Sequence, residues 1–300
     1  MSTIRTGDLA QFNRSMNNMQ EVQSRLRYGN LKVSTGKAAH SYAELGAESG
    51  KLMRTETALQ RTEMFAEQNT RLGQELNLMD GALATIAEVA QEFRQTLIAR
   101  RNDAGGDNVR LDLEAQGMID RVVGELNLKV DGRYVFAGSR TDTPPVDAGA
   151  ISDDETSEAF YQGDRIPLRA RIDVDAEVSY GVLAVDEAFR DLFAGLKTAI
   201  DGHGPPADDG KLQEAATLAE QALDGVIAKR SELATFTARV ESVRDSQEGT
   251  ALYLKDTLSD IVDTDVPATM AQISQDQVSL EASYSIMSRL SGLSLTDYLR

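Results

Sequence analysis

Leu72-Gly-Gln-Glu-Leu76-Asn-Leu-Met79-Asp-Gly-Ala-Leu83-Ala-Thr-Ile86-Ala-Glu-Val-Ala90-Gln-Glu-Phe93-Arg-Gln-Thr-Leu97 carries an apolar side chain at alternating steps of four and three without a break. Spacing of about 3.5 residues lays Leu72, Leu76, Met79, Leu83, Ile86, Ala90, Phe93 and Leu97 along one narrow stripe of an α-helix, as in the seam of a coiled coil. A stripe of that width cannot be buried by the helix that bears it, so a partner helix is required.

Working outward, Leu52 and Leu59 recur at a seven-residue step, which predicts one helix from about Ala47 to about Arg101. At 1.5 Å per residue it would be a rod of roughly 80 Å. Asp103-Ala-Gly-Gly-Asp107 ends it, and a shorter helix follows with Val109, Leu113, Ile119, Val123, Leu126 and Val130 along one side. In the second half, Ala219, Leu223, Val226, Leu233, Val240, Ala251, Leu254, Leu258 and Ile261 fit one heptad frame. Arg230, Thr237, Arg244 and Gln247 fall on the same stripe, where polar side chains weaken a seam and either set its register or admit solvent. Beyond Pro267, Met270, Ile273, Gln277, Leu280, Tyr284 and Met287 continue the four-three steps. Phe12, Met16, Met19, Val22 and Leu26 make a comparable stripe near the start.

The middle differs in kind. Tyr134-Val-Phe136 reads as a short strand. Ile166, Leu168, Ala170, Ile172 and Val174 alternate with Pro167, Arg169, Arg171 and Asp173, the period of a half-buried strand. An amphipathic helix starts near Asp186, with Phe189, Leu192, Phe193, Leu196 and Ile200 on one face, and 201–210 is a loop by composition. The fold class expected is mainly α: a long coiled-coil helical rod formed by the N- and C-terminal segments, with a small β-containing insertion in the middle. The expected domains are a terminal assembly region (1–45 with 265–300), a helical rod (46–134 with 205–264) and the β-rich insertion with one helix (135–204).

Composition agrees with side-by-side helices. Hydrophobic residues make up 41% of the 300-residue chain, yet aromatics are only 5% and Trp is absent. The net charge of -17 would repel a polyanionic duplex, which argues against nucleic acid as a partner. With no cysteine, disulfides, thiolate metal sites and Cys nucleophiles are excluded. The opening MSTIRTGDLAQFNRSM lacks the apolar run of a cleavable secretory signal, and no stretch approaches the roughly 18–20 apolar residues that cross a bilayer. The expectation is a chain made in the cytoplasm, without a membrane partner, that leaves the cell only by a route that reads no cleaved signal.

The stripes at 12–26 and 266–290 lie far apart in sequence, and folding the chain back brings both termini together. Their apolar contact is completed when copies stack. The side chains expected at that assembly interface are Phe12, Met16, Met19, Leu26, Met270, Ile273, Leu280, Tyr284, Met287 and Leu290.

Tyr134-Val-Phe-Ala-Gly-Ser-Arg-Thr-Asp-Thr-Pro-Pro-Val146 strongly resembles the signature of the flagellar hook–filament junction subunits, within the flagellin superfamily. Val33-Ser-Thr-Gly-Lys37 looks like the N-terminal motif of that family, Tyr161-Gln-Gly-Asp164 before an alternating strand is similar to its middle domain, and Leu290–Arg300 resembles its C-terminus. One stretch departs: after Lys37 this chain has Ala38-Ala-His-Ser-Tyr-Ala-Glu-Leu45, where the family usually has a segment like Arg-Val-Asn-Ser-Pro-Ser-Asp-Asp-Pro. The resemblance implies a secreted subunit of the bacterial flagellum, exported unfolded through the type III apparatus with an uncleaved N-terminal signal. It also implies self-assembly into a ring, a neighbouring hook-associated protein, flagellin on the other side, and an export chaperone.

Nothing in the sequence calls for catalysis, and no catalytic, metal or cofactor site is expected. The two histidines, His40 and His203, have no ligand at helical spacing. Asp153-Asp-Glu155 and Asp208-Asp209 lack the glycine and terminal glutamate of a calcium loop. Gly105-Gly106 and Gly202-x-Gly204 lack the context of a phosphate loop, and no G-x-S-x-G occurs. Met16, Met19, Met64, Met79, Met270 and Met287 lie on or near the helix stripes, as core or subunit contacts. Asn13-Arg-Ser15 matches a glycosylation sequon only formally. The alternatives are flagellin itself, which shares the helical ends, and a cytoplasmic coiled-coil adaptor using the same heptads.

Overall fold

A computed structural model describes residues 2–102, 110–204 and 207–298, with side chains described at 10, 12–100, 110–204 and 207–288. The glycine-rich break at 103–107 and the prolines of the 201–210 loop lie outside the described residues. The chain is mainly α, with seven α-helices among the described residues: α1 (Ser2–Thr35), α2 (Tyr42–Leu45), α3 (Ser49–Asn102), α4 (Leu111–Leu126), α5 (Glu187–Gly202), α6 (Asp209–Val262) and α7 (Val266–Tyr298). Two antiparallel hairpins interrupt them, β1 (Lys129–Val130) with β2 (Arg133–Tyr134) and β3 (Leu168–Asp173) with β4 (Ala176–Tyr180). The chain forms two compact units, residues 62–249 and residues 1–61 with 250–300.

Residues 62–249 hold the main core. Leu76, Met79, Leu83, Ile86, Ala90, Phe93 and Leu97 of α3 are all fully or almost fully buried. Ala82 and Val89 are buried as well, so the covered face is wider than a two-helix seam. The reason is that α3 is enclosed by several elements. Arg121 of α4 pairs with Glu92 of α3 at 2.7 Å, and Gly195 of α5 lies where an added Cβ would be 3.0 Å from Leu218 of α6 and 3.3 Å from Phe93 of α3. That glycine lets α5 lie close against both long helices. Its buried face, Phe189, Leu192, Phe193 and Leu196, completes the packing, and Phe160 meets Phe193 edge-to-face at 5.1 Å between ring centroids.

The shorter helix departs from its sequence reading. Its buried face is Leu111, Ala115, Met118, Ile119, Val122 and Leu126, while Leu113 is exposed and Val130 belongs to β1. A face of six at 3.6-residue spacing suits a helix covered by a broad surface rather than by a single partner. The strand read at Tyr134–Phe136 is also displaced: β2 is Arg133–Tyr134, and Val135 and Phe136 leave it to enter the core. Asp131-Gly132 decides this, because both have positive φ, 49° and 80°, the geometry of a two-residue hairpin turn. In β3, Ile172 is buried while Arg169 and Arg171 face out, as alternation predicts, but Ile166 lies before the strand and is exposed.

Two of the polar positions on the α6 stripe, Arg230 and Gln247, prove to be register devices, whereas Thr237 and Arg244 bond within α6. Arg230 forks onto Asp80 of α3, Nε to Oδ1 at 2.9 Å and Nη2 to Oδ2 at 3.0 Å. Gln247 is buried, and its Nε2 donates to the Ile172 carbonyl at 2.9 Å. Asn69 Nδ2 donates to that same carbonyl at 2.8 Å and to Gln247 Oε1 at 2.9 Å. This knot ties α3, α6 and the end of β3 together, and its members satisfy one another. Asn69→Ala is therefore expected to lower the stability of residues 62–249 by about 1–3 kcal/mol, because the Gln247 oxygen is left buried and unpaired. Denaturant unfolding of the two proteins measures it, and a difference within error of zero would show that the knot is dispensable.

Candidate assembly site

In the unit made by the chain ends, α1 lies antiparallel against α7. Arg25 reaches Asp276, Gln23 Nε2 donates to the Tyr284 hydroxyl at 2.8 Å, and Gly29 approaches Ile273. The apolar stripes of these helices are only partly covered by the pairing. Among the described side chains of α1 and α7, only Val22 and Asp276 fall in the buried class. Met16, Met19, Leu26, Ile273, Leu280 and Met287 are half-buried. Phe12, Met270 and Tyr284 are exposed, at 41%, 54% and 50%. The Leu290 side chain lies outside the described residues.

Sequence spacing missed part of this surface. Tyr28, Leu31, Val278 and Ile286 are large, apolar and exposed, off the four-three frame. Arg25 and Asp276 were also missed, although each stands directly before a frame position, Leu26 and Gln277. A charge beside a seam on each helix was the available signal.

The turn after α1 is closed by glycine and by backbone pairing. Gly36 has φ 72°, a left-handed conformation that ends the helix, and its N–H returns to the Lys32 carbonyl at 2.8 Å. Thr264 N–H donates to the Gly36 carbonyl and Ala38 N–H to the Val262 carbonyl, at 2.8 and 2.7 Å, which joins this turn to the α6–α7 connection. The departing segment supplies its own clasp. Glu44 accepts from the His40 backbone N–H at 3.0 Å and from the Tyr28 hydroxyl at 2.7 Å, and these bonds hold its carboxyl below the usual range.

The two signature motifs of the middle region lie against each other. Asp147 N–H donates to the Phe160 carbonyl at 2.8 Å, Gln162 N–H to Pro145 at 2.9 Å, and Asp164 N–H to Ala137 at 3.1 Å. Asp164 in return accepts from the Ser139 backbone at 2.8 Å, from the Ser139 hydroxyl and from the Ile166 N–H, which lower its pKa. Gly138, at φ 67°, and Gly163 sit where a side chain would overlap the facing backbone. Tyr161 donates its hydroxyl to the Asp164 carbonyl at 2.6 Å, and burial pushes its own pKa up to about 12. Asn127 mimics a strand neighbour, exchanging two 3.0 Å bonds with the Val146 backbone. These motifs are a structural clasp, in which Asp164, Ser139, Tyr161 and Asn127 are committed to internal partners.

No group of three or more His, Asp or Glu side chains that could hold a metal ion occurs among the described residues. His203 ends α5, within 3.5 Å of Arg100 Nε and 3.8 Å of Asp112. Asp191 of α5 is the carboxyl with the largest upward shift, to about 6, through burial and then the charges of Glu187 and Glu155. Its folded pKa lies above the ordinary value of about 3.9, so the folded state holds the extra proton between about pH 4 and 6, and stability falls as pH rises through that window. Asp191→Asn is expected to raise the melting temperature at pH 7 and to leave it nearly unchanged at pH 4. A rise of equal size at both pH values would show that the carboxylate charge is not the cause.

Two family models match the chain, one toward each end. Residues 8–141 match the family model described as the bacterial flagellin N-terminal helical region, and residues 216–299 match that of the C-terminal helical region. The chain belongs to the flagellin family. Residues 142–215 of this flagellin-family chain fall between the two matched regions, and they include the β3–β4 hairpin and α5. The chain is 25% identical over 297 residues to flagellar hook-associated protein 3 of Escherichia coli (strain K12), covering 90% of this chain and 91% of that protein. It is 23% identical over 285 residues to flagellar hook-associated protein 3 of Salmonella typhimurium, covering 88% and 90%. It shares its fold with the crystal structure of Bacillus cereus FlgL, with a TM-score of 0.56 and 16% identity over 69% of this chain and 98% of that one.

Proposed function

We propose that this chain is a structural subunit of the bacterial flagellum at the hook–filament junction, joining a hook-side neighbour to flagellin through its terminal helices. The observation that carries the reading is similarity over nearly the full length to two proteins named flagellar hook-associated protein 3, together with the incompletely covered α1 and α7 faces. In this reading Phe12, Met16, Met19, Leu26, Met270, Ile273, Leu280, Tyr284, Met287 and Leu290 contact neighbouring subunits in a ring. An export chaperone holds the terminal helices before secretion through the type III route. The chain acts by assembly and performs no catalysis. Burial of apolar surface supplies the driving force, and it is gained only where several copies meet.

Deleting the gene tests the reading. The expected strain makes intact hooks, lacks filaments and leaks flagellin monomer into the medium. A filament that forms but lacks one flagellin species would make the chain a flagellin instead. Strict retention of the protein in the cytosol would make it an intracellular adaptor.

A further inference from the structure

We propose that the Arg25–Asp276 ion pair, beside the close approach of Gly29 to Ile273, fixes the register of α1 on α7 and so selects which apolar side chains face neighbouring subunits. The second half of this statement rests on the assembly reading; the first half does not.

Asp276 is 4% exposed, in a contact where its surroundings are otherwise half-open. Arg25 Nη2 lies 3.0 Å from Oδ1, and Arg25 Nε lies 3.3 Å from each carboxylate oxygen. The pairing raises the arginine and lowers the aspartate, each first through this hydrogen bond. Glu21, one turn earlier on α1, lies 3.4 Å from Arg25 Nη1 and aims the guanidinium from its other side. Four residues after Arg25, Gly29 leaves room that Ile273 fills; an added Cβ would lie 2.9 Å from Ile273 Cγ1.

Apolar contact alone does not choose this register. Heptad stripes offer similar surface when one helix slides by seven residues, and on α1 only Val22 is buried among the described side chains. The charges do discriminate. Sliding by one heptad sets Arg25 beside Thr269 or Ser283, and Asp276 beside Asn18 or Lys32. Neither slipped arrangement joins the arginine fork to a carboxylate, and the first leaves Asp276 with no cation. An unpaired charge in such a contact is far costlier than the pair is favourable. A shifted register would also move the exposed residues of α1 against those of α7 by about 10 Å, at 1.5 Å per residue. Neighbouring subunits would then meet a different surface.

The absence of cysteine from the chain makes register directly measurable. The close approach of Gly29 to Ile273 sets Val22, seven residues before the one, level with Leu280, seven residues after the other, so the purified full-length chain carrying Val22→Cys and Leu280→Cys reports the native alignment. Val22→Cys with Met287→Cys reports an alignment one heptad away. In the parent background, oxidation is expected to give the 22–280 crosslink in clear excess over 22–287. Replacing the pair by Arg25→Leu with Asp276→Leu is expected to keep helix content and to reduce that excess about tenfold, since hydrophobic replacement of an ion pair preserves stability while removing the discrimination. Reversing the pair, Arg25→Asp with Asp276→Arg, is expected to restore it. A double-leucine protein with parental selectivity, a reversed pair no better than double leucine, or a parent without 22–280 crosslinking would each overturn the proposal. These outcomes are read on the isolated chain, so they are independent of whether deletion of the gene removes the filament.

Discussion

Leu280→Asp and Tyr284→Asp are each expected to leave residues 62–249 folded and to reduce incorporation into the flagellum to background. Leu280 is half-buried and Tyr284 half-exposed on α7, in a unit distinct from the one that holds the main core. Aspartate there costs little in a lone chain, where water reaches it. In an assembled interface the same carboxylate would be desolvated with no cation supplied, at a cost of several kcal/mol per subunit. Repeated around a ring, that cost is enough to prevent association. Helix content and thermal unfolding of the purified variants check the first half. Complementation of the deletion strain, scored by motility and by the protein content of purified flagella, checks the second. Wild-type incorporation of both variants would remove the terminal helices from the assembly surface.

Gly138→Ala carries the largest expected effect on folding. Gly138 has φ 67°, where a residue with a Cβ pays roughly 1–2 kcal/mol. The added methyl would also overlap the backbone oxygen and the carboxylate of Asp164, and backbone cannot move aside cheaply. Separation of the two strands of the clasp would break the Asp164-to-Ala137 and Ser139-to-Asp164 bonds together. The sum is a loss of roughly 3 kcal/mol or more, a melting temperature lower by about 10 °C for a unit of this size. Calorimetry of the purified chain measures it. A loss below about 1 kcal/mol would show that the 137–139 and 161–164 segments are not held together in solution.

The two predictions separate two kinds of information in the same chain. The family signature Tyr134–Val146 looks functional because it is distinctive, yet its groups are spent on internal bonds: Gly138 and Gly163 for close approach, Asp164 for three donors, Asn127 for the Val146 backbone. The surface proposed to meet neighbours is instead made of ordinary apolar residues at helical spacing, with no local motif. Leu113 shows how spacing can mislead, since it fits the periodic reading of α4 and is 60% exposed. Periodicity states that a face exists, and the elements that cover it decide which residues are dry.

Sequence alone determined the long helices, because a four-three apolar rhythm such as that of Leu72–Leu97 can be buried in no other regular conformation. It also determined the alternating strand around Ile172, which follows from local backbone and side-chain chemistry. Only the tertiary structure decided that Gln247 and Asn69 share the Ile172 carbonyl, that Asp164 reaches back to Ser139, and that Arg25 meets Asp276. Those pairs lie 25 to 251 positions apart. A hydrogen bond between distant residues leaves no periodic trace in the chain, whereas burial of a repeating face does.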